Sequence, residues 1–384
     1  MKKFVFALAA LFAFTATSAQ AASDQGVKLG LGGYYKAGIG FIASDDDGAT
    51  NPQADNRRGH AIKQDVEVWF TGETTLDNGL TVGARVELEG QTNSDQVDET
   101  WMYIKGSFGE VRVGDEDDAR RLKSVVAPTA SNIFKANDPG NDALSFSNNP
   151  LAFANGLVPN NTIGINSTAM NVENDSTKLI YMTPSFNGFS LAVSYAPDAS
   201  KSGSNNGGLT PTDNTAGQNS KAYSIAGSYD GKFDNVKVQA SLGYTGSNNE
   251  GTGAGNDDVD AWQAGLGVGF GAFNVGGSYG VLKNALNTGR GDVSTYELGG
   301  TYGTGPYTVG LNWSRGKYEF SNTQEPELNT FMVSGSYAMG PGITLDAAVS
   351  YDQYDNDGNT AISAGNATAD YDSTSIMVGS SIKF

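Results

Sequence analysis

The chain has 384 residues, a formal net charge of −18 and no cysteine. The lack of cysteine excludes a disulfide scaffold and thiol chemistry. The excess of 42 acidic over 24 basic side chains argues against nucleic-acid binding, which requires basic surfaces. Only 38% of the residues are hydrophobic, while 51 are glycine. This composition favours a barrel with a wet interior, in which only one face must be apolar.

The first residues have the pattern of a cleaved secretory signal, and we expect the mature chain to span 22–384. Two lysines at positions 2 and 3 precede an apolar run over 4–16 and a small-residue site at 19–21. Removal of the lysines changes the formal charge from −18 to −20. No other apolar run approaches the roughly 18 residues that a membrane helix requires. A membrane span would therefore have to be a closed β-barrel.

Alternation of apolar and polar residues predicts strands along the whole mature chain. In 27–43, Leu29 and Leu31 share one parity and Lys28 has the other. The turn at 77–79, Asp-Asn-Gly, then joins two alternating runs as a hairpin. The sixteen predicted strands are 27–43, 62–76, 80–90, 98–106, 110–114, 176–184, 188–197, 221–229, 236–245, 259–270, 273–281, 293–302, 307–314, 328–338, 343–351 and 371–384.

The connections between these strands alternate in length. Short Gly-rich turns alternate with longer segments rich in Asn, Asp, Gly and Ser. This segregation, with an even strand count, is typical of an outer-membrane barrel, whereas a soluble sandwich has no reason for it. We therefore predict an all-β fold, a 16-stranded antiparallel transmembrane β-barrel with short periplasmic turns and long external loops. The longer connections are 44–61, 91–97, 115–175, 198–220, 245–258, 282–292, 315–327 and 352–370.

The final strand suggests how the barrel closes. It alternates apolar and small residues and ends on Phe384, which lies on the apolar parity. We expect this strand to pair with the first, and the Phe384 ring to face lipid at the periplasmic interface, where aromatic residues form a girdle. The parity of 98–106 stays open, because Trp101 with Tyr103 and Met102 with Ile104 both make acceptable lipid-facing pairs.

Short motifs give the chain a family resemblance. "GSFGEVRVG" at 106–114, "LIYMTPSFNGFSLAVSYAP" at 179–197 and the terminal Phe384 resemble the trimeric general porins of Gram-negative outer membranes, closest to the 16-stranded type of alphaproteobacteria. The resemblance implies a homotrimer in outer-membrane lipid and lipopolysaccharide. It also implies a water-filled pore for ions and small hydrophilic solutes in each subunit, narrowed by an inward-folded third loop. Where the family commonly continues "GEVRVG" with a basic residue, this chain has the acidic run 115–118.

The segment 115–175 is the main functional candidate. It is the longest connection, and connections of this length are usually functional or disordered. Its apolar stretches, such as "LKSVVAPTASNIF" at 122–134, predict packing against the inner wall. The predicted constriction and lumen residues are Lys36, Lys63, Arg85, Glu87, Glu89 and Arg112 on strands, and Asp115, Glu116, Asp117, Asp118, Arg120, Arg121, Asp138 and Asp142 on the loop.

Opposed charges on loop and wall predict a transverse field that orients dipolar solutes and disfavours apolar ones. The net negative charge predicts a weak preference for cations. In the alternative interpretation, the wall charges Arg85, Glu87 and Glu89 only pair with one another. A second alternative is a specific channel for a sugar or an anion on the same barrel. A sugar channel would need a lumen track of aromatic residues, and Tyr34 and Trp69 are too few to define one.

Other chemistry receives little support from the sequence. The acidic runs 44–48, 114–118, 255–260 and 354–359 supply the oxygen ligands that Ca²⁺ prefers. None has the full EF-hand spacing, so solvated loop charge is the favoured explanation, and we expect no other cofactor. His60 is the single histidine, and nothing positions a nucleophile beside it. No Gly-rich phosphate loop ending in Lys-Ser or Lys-Thr is present. We therefore predict that the protein is not an enzyme.

Overall fold

The computed structural model contains a closed antiparallel barrel of sixteen strands, β1 to β16, in which each strand pairs with its sequence neighbours and β16 returns to β1. One short helix, α1 (Ala119–Leu122), follows β5. Among the described residues, no helix is long and apolar enough to cross a membrane. The structure describes residues 26–46, 58–91, 96–136, 144, 146, 168, 170, 172–173, 175–199, 218–250, 257–284, 291–319, 325–355 and 370–384. The predicted signal segment 1–21 lies outside this set.

The observed strands confirm the predicted barrel. Each predicted strand overlaps one observed strand, and the largest differences are extensions at the ends, where apolar alternation gives way to polar residues that still pair. The strands are β1 Lys28–Asp46, β2 His60–Thr75, β3 Thr81–Glu89, β4 Val97–Gly106, β5 Gly109–Asp115, β6 Thr177–Met182, β7 Phe189–Asp198, β8 Asn219–Phe233, β9 Val236–Asn249, β10 Val259–Phe270, β11 Phe273–Lys283, β12 Asp292–Thr304, β13 Tyr307–Glu319, β14 Glu327–Gly340, β15 Ile343–Asp355 and β16 Tyr371–Lys383.

The chain closes its barrel as the terminal pattern predicts. Strands β1 and β16 pair over thirteen residues, from Tyr34 opposite Lys383 to Asp46 opposite Tyr371. Beyond this ladder, the amide of Phe384 donates to the carbonyl of Gly33 at 3.0 Å, and the Gly33 amide donates back at 2.9 Å. Since a closed barrel has no free strand edge, every strand has a hydrogen-bonding partner on each side.

The two faces of the wall differ as the alternation requires. In β16, Ile376 and Val378 are exposed on the outer face, while Ser375 and Met377 are buried on the inner face. Neighbouring outer aromatics pack across strands, for example Tyr279 and Tyr296 with ring centroids 4.6 Å apart. Such cross-strand pairs stabilise a sheet and form an apolar outer surface with aromatic residues near the strand ends.

The structure resolves the open parity of β4. Met102 is 51% exposed on the outer face, whereas Trp101 is 8% exposed. The Tyr103 hydroxyl donates to Glu73 Oε2 at 2.6 Å, on the inner face. Trp101 and Tyr103 therefore point into the lumen. The sequence does carry a signal for this assignment, because the charged residues Glu99 and Lys105 share their parity.

Candidate functional site

The connection between β5 and β6, residues 116–176, lies inside the barrel where it is described. Its first residues form α1, and the Asp118 carboxylate caps this helix by accepting a hydrogen bond from the Arg121 amide at 2.7 Å. Beyond the helix, Ile133 and Phe134 are fully buried. The predicted inward fold thus has its physical cause in these apolar side chains, which can leave water only against the wall.

Polar side chains of the inner wall hold the start of this loop. Backbone amides of the loop donate to serine hydroxyls on three successive strands, β7, β8 and β9. These bonds join Ala119 to Ser194 (3.1 Å), Arg120 to Ser224 (2.9 Å) and Val125 to Ser241 (2.8 Å). Because each bond satisfies a loop donor that has lost its water, together they fix the loop to the wall.

The loop continues along the wall to the far side of the barrel. The Asn132 amide donates to Asp346 Oδ1 on β15 at 3.0 Å. The Ser314 hydroxyl on β13 donates to the Ala136 carbonyl at 2.9 Å. Further on, the Phe146 ring covers the backbone of Gly40 on β1, where a Cβ atom would collide with it. The loop therefore lines the wall from β7 round to β1, and β2 to β5 form the opposite side.

Several of the predicted strand charges on β1 to β3 form ion pairs. Lys36 Nζ lies 2.9 Å from Asp65 Oδ2, and Arg85 pairs with Glu87. Glu89 lies opposite Glu67 in the register of β2 and β3. These contacts support the alternative that wall charges satisfy one another.

Two further wall cations face the loop. Arg112 Nη1 donates to Glu116 Oε1 at 2.8 Å, and its Nε donates to Glu110 Oε1 at 2.6 Å. Lys63 Nζ lies 5.3 Å from the centre of the Phe146 ring. Arg112 and Lys63 therefore contact the start and the middle of the loop, one by an ion pair and the other by a cation–π contact.

The acidic run at the start of the loop is strongly buried. Asp115 accepts a hydrogen bond from the Thr177 hydroxyl, and Asp117 pairs with Arg121 at 3.1 Å. Burial raises the pKa of Glu116 to about 7, against the opposing charge of Arg112. Burial also raises the pKa of Asp117, and the nearby Asp175 charge adds to the rise. Negative charge is thus concentrated here at a cost in desolvation.

Asp118 and Arg120 take a different place from the one predicted. Both are buried between loop and wall, with Arg120 1% exposed, so they anchor the loop instead of lining the channel. Asp118 Oδ2 lies 3.6 Å from Arg120 Nη2 and accepts a hydrogen bond from Thr245 at 2.6 Å. Burial alone would raise the pKa of Asp118, but the Arg120 charge and these hydrogen bonds lower it overall. Asp138 and Asp142 lie outside the described residues.

A group of three carboxylates was missed by the sequence analysis. Glu99 on β4, Asp117 on the loop and Asp175 just before β6 place carboxylate oxygens within 4.8 Å of one another. These residues are distant in sequence, and only the loop path brings them together. Clustered carboxylate oxygens are the ligand type that Ca²⁺ prefers.

Comparisons with known proteins agree with this geometry. A model of the Gram-negative porin family matches residues 7–359. A monosaccharide porin of Halomonas is 25% identical over 251 residues, which cover 62% of this chain and 61% of that relative. The solved anion-selective porin of Comamonas acidovorans has a TM-score of 0.58 at 16% identity and covers 93% of this chain and 100% of its own.

A second solved structure, the trimer form of the outer-membrane protein OmpT of Vibrio cholerae, has a TM-score of 0.57 at 13% identity and covers 94% of this chain and 100% of its own. At such identities the solved structures establish the fold alone. The family match spans most of the chain and establishes its class. The chain belongs to the Gram-negative porin family.

Proposed function

We propose that this porin is a water-filled channel for passive diffusion of ions and small hydrophilic solutes, with a weak preference for cations. The observation that carries the proposal is the loop held along the inner wall, with its acidic start facing arginines of β3 and β5. A loop fixed in this way narrows the lumen. Permeation is then filtered by size and charge at one level of the barrel.

The cation preference rests on charge close to the constriction. Glu116, Asp117 and Asp175 converge there from the loop, joined by Glu99 from β4. Charges in outer loops contribute less, since salt screens them within about 10 Å at moderate ionic strength. The ion-paired arginines offset part of this negative charge, so we expect the preference to be weak.

Planar-bilayer recording under a potassium chloride gradient tests the proposal. We expect large conductance steps in groups of three and a reversal potential of the sign set by cation permeation. A reversal potential of the opposite sign would contradict the cation preference while keeping the channel. Absence of conductance from correctly folded protein would contradict the channel itself.

A sugar-specific channel is the second candidate. The Halomonas relative is named a monosaccharide porin, and β4 adds Trp101 and Tyr103 to the lumen aromatics Tyr34 and Trp69. These rings lie on β1, β2 and β4, a larger set than the sequence alone identified. Block of the ionic current by millimolar monosaccharide would favour this candidate, and its absence would favour general diffusion.

We also propose a homotrimer whose contact surface includes the outer face of β3 to β5. Lipid-facing strands of this barrel carry outer aromatics, such as Tyr296 and Tyr302 on β12. In contrast, β3 and β5 contain no aromatic residue, and both aromatics of β4 point inward. Because aromatic girdles mark contact with lipid interfaces, a gap in them favours contact with a second copy of the chain. The remaining outer surface would contact outer-membrane lipid and lipopolysaccharide.

Finally, we propose that the carboxylates of Glu99, Asp117 and Asp175 hold a calcium ion. Three carboxylates can supply up to six oxygens, within the range that Ca²⁺ accepts. Their oxygens are close enough that mutual repulsion favours either protonation or a bound cation. A bound ion would tie β4 to both ends of the constriction loop.

A further inference from the structure

The inner wall between β2 and β5 carries an alternating stack of indole and guanidinium groups. The Arg85 guanidinium lies over two indoles, with its Cζ atom 4.6 Å from the ring centre of Trp69 and 5.4 Å from that of Trp101. The Arg112 guanidinium lies on the same Trp101 ring, at 5.3 Å. Trp101 is thus shared by the two arginines that face the constriction loop.

The strand register explains why these four side chains meet. Arg85 lies directly opposite Trp101 in the β3–β4 ladder. Gly114 lies opposite Trp101 in the β4–β5 ladder, and Arg112, two residues before it, shares its face. A Cβ atom at Gly114 would collide with the backbone of Trp101, so glycine permits the close approach of the two strands here.

The stack connects directly to the charges of the loop. Arg112 donates from Nη1 to Glu116 Oε1 at 2.8 Å. The charge of Arg85 also acts on Glu116. Arg85 pairs in addition with Glu87 on its own strand. Each guanidinium therefore interacts with more than one carboxylate while one of its faces lies against an indole ring.

We propose that Trp101 is a positioning residue for ion selectivity, which holds the ion-paired guanidinium groups of Arg85 and Arg112 flat against the wall and so sets where their positive charge lies along the channel. This inference rests on the proposed channel function. Guanidinium groups stack on indole faces, and the contact restricts the arginine without neutralising its charge. Anions then have a favourable path along the wall, opposite the carboxylates of the loop.

Substitution of Trp101 tests this role without changing the charge of the pore. In Trp101→Leu, the arginines keep their ion pairs with Glu87, Glu110 and Glu116 but lose the stacking surface that fixes their position on the wall, which lowers anion permeability. We expect the cation-to-anion permeability ratio, measured from the reversal potential, to rise about twofold or more. Trp101→Phe retains an aromatic face and should keep the ratio near that of the wild type.

Arg85 supplies an independent test that leaves Trp101 in place. Arg85→Lys keeps the positive charge but replaces the flat guanidinium with an ammonium group, and should raise the ratio in the direction of Trp101→Leu. Arg85→Gln, which removes the charge, is the positive control for the size of a detectable shift.

The outcomes distinguish the inference from the proposed function. The positioning role would be overturned if Trp101→Leu and Arg85→Lys had the same cation-to-anion permeability ratio as the wild type while Arg85→Gln shifted that ratio. Equal shifts for Trp101→Leu and Trp101→Phe would overturn it as well, since those would reflect volume and not the aromatic face. If the Leu variant does not fold, Arg85→Lys alone decides. Loss of conductance in the wild type would instead refute the channel.

Discussion

At the scale of single residues, the start of the β5–β6 loop is marked by carboxylates that have lost contact with water. Asp115, Glu116 and Asp118 are all buried, yet each has a different compensating partner: a hydroxyl, a wall arginine and a loop arginine. Asp117 shares its surroundings with Glu99 and Asp175 as well as with Arg121. The three carboxylates outnumber the two cations, Arg121 and Lys178, that act on Asp117, and this imbalance is the basis for the proposed calcium site.

The calcium proposal predicts a specific response to Asp175→Asn. In the wild type, added millimolar Ca²⁺ should lower the cation-to-anion permeability ratio, because a bound ion neutralises the carboxylates, and chelation should restore it. In Asp175→Asn this response should be largely lost. Asp230→Asn, which changes an exposed carboxylate on β8, is the control and should respond like the wild type. An unchanged response in Asp175→Asn would count against the site.

At the scale of elements, the constriction loop behaves as an extra layer of the wall. Its polar backbone bonds to hydroxyls and carboxylates of the strands, while Ile133, Phe134 and Phe146 pack with inner-wall residues Met332 and Met377. Strand glycines let the loop approach closely, as Gly40 does under the Phe146 ring. This arrangement favours a static filter over a moving gate.

Gly40→Ala should therefore displace the part of the loop around Phe146. The added Cβ collides with the Phe146 ring, and overpacking of this kind costs about 1–3 kcal/mol in the free energy of unfolding. We expect lower stability to urea and an altered single-channel conductance. Gly300→Ala is the matched control, since its Cβ would meet neighbouring atoms no closer than 3.7 Å. Equal behaviour of the two variants would show that the loop does not depend on this contact.

At the scale of the whole molecule, the outer surface divides into two regions. Outer aromatics flank the apolar surface on β7 to β15, whereas β3 to β5 present smaller apolar side chains, such as Met102 and Val113. A lipid interface favours aromatic side chains near the strand ends, while a protein interface favours close packing of aliphatic side chains. The outer side chains of the barrel thus differ between the strands that face lipid and those that we propose to face a second subunit.

A tryptophan substitution in each region should distinguish the proposed subunit contact from the lipid-facing surface. Met102→Trp places a bulky ring in the proposed subunit contact and should lower the temperature at which trimers dissociate on a semi-native gel. Leu266→Trp, at a similarly exposed position on β10, should leave that temperature unchanged, because lipid adapts to the added ring. The proposed contact surface would be wrong if Leu266→Trp were the more disruptive change.

The sequence by itself determined the barrel, its sixteen strands and its closure. A period of two is set by the backbone, so alternation reports which face each side chain takes, and turn residues report where strands end. Phe384 could be placed beside the first strand because a closed barrel leaves no other partner for the last one. The inward position of the loop could also be predicted from the sequence, because apolar residues such as Ile133 and Phe134 need a surface that shields them from water.

The tertiary structure alone decided which charges share a site. Sequence parity placed Arg85 and Arg112 on the inner wall, but their common contact with Trp101 depends on the register of three neighbouring strands. Likewise, Asp118 and Arg120 looked like channel residues, yet the path of the loop buries them against the wall. The parity of a residue in a strand specifies which face of the wall its side chain takes. It does not specify the position of the side chain along the barrel axis or the residues that it contacts. Those follow from strand stagger and from loop packing, which are properties of the whole barrel.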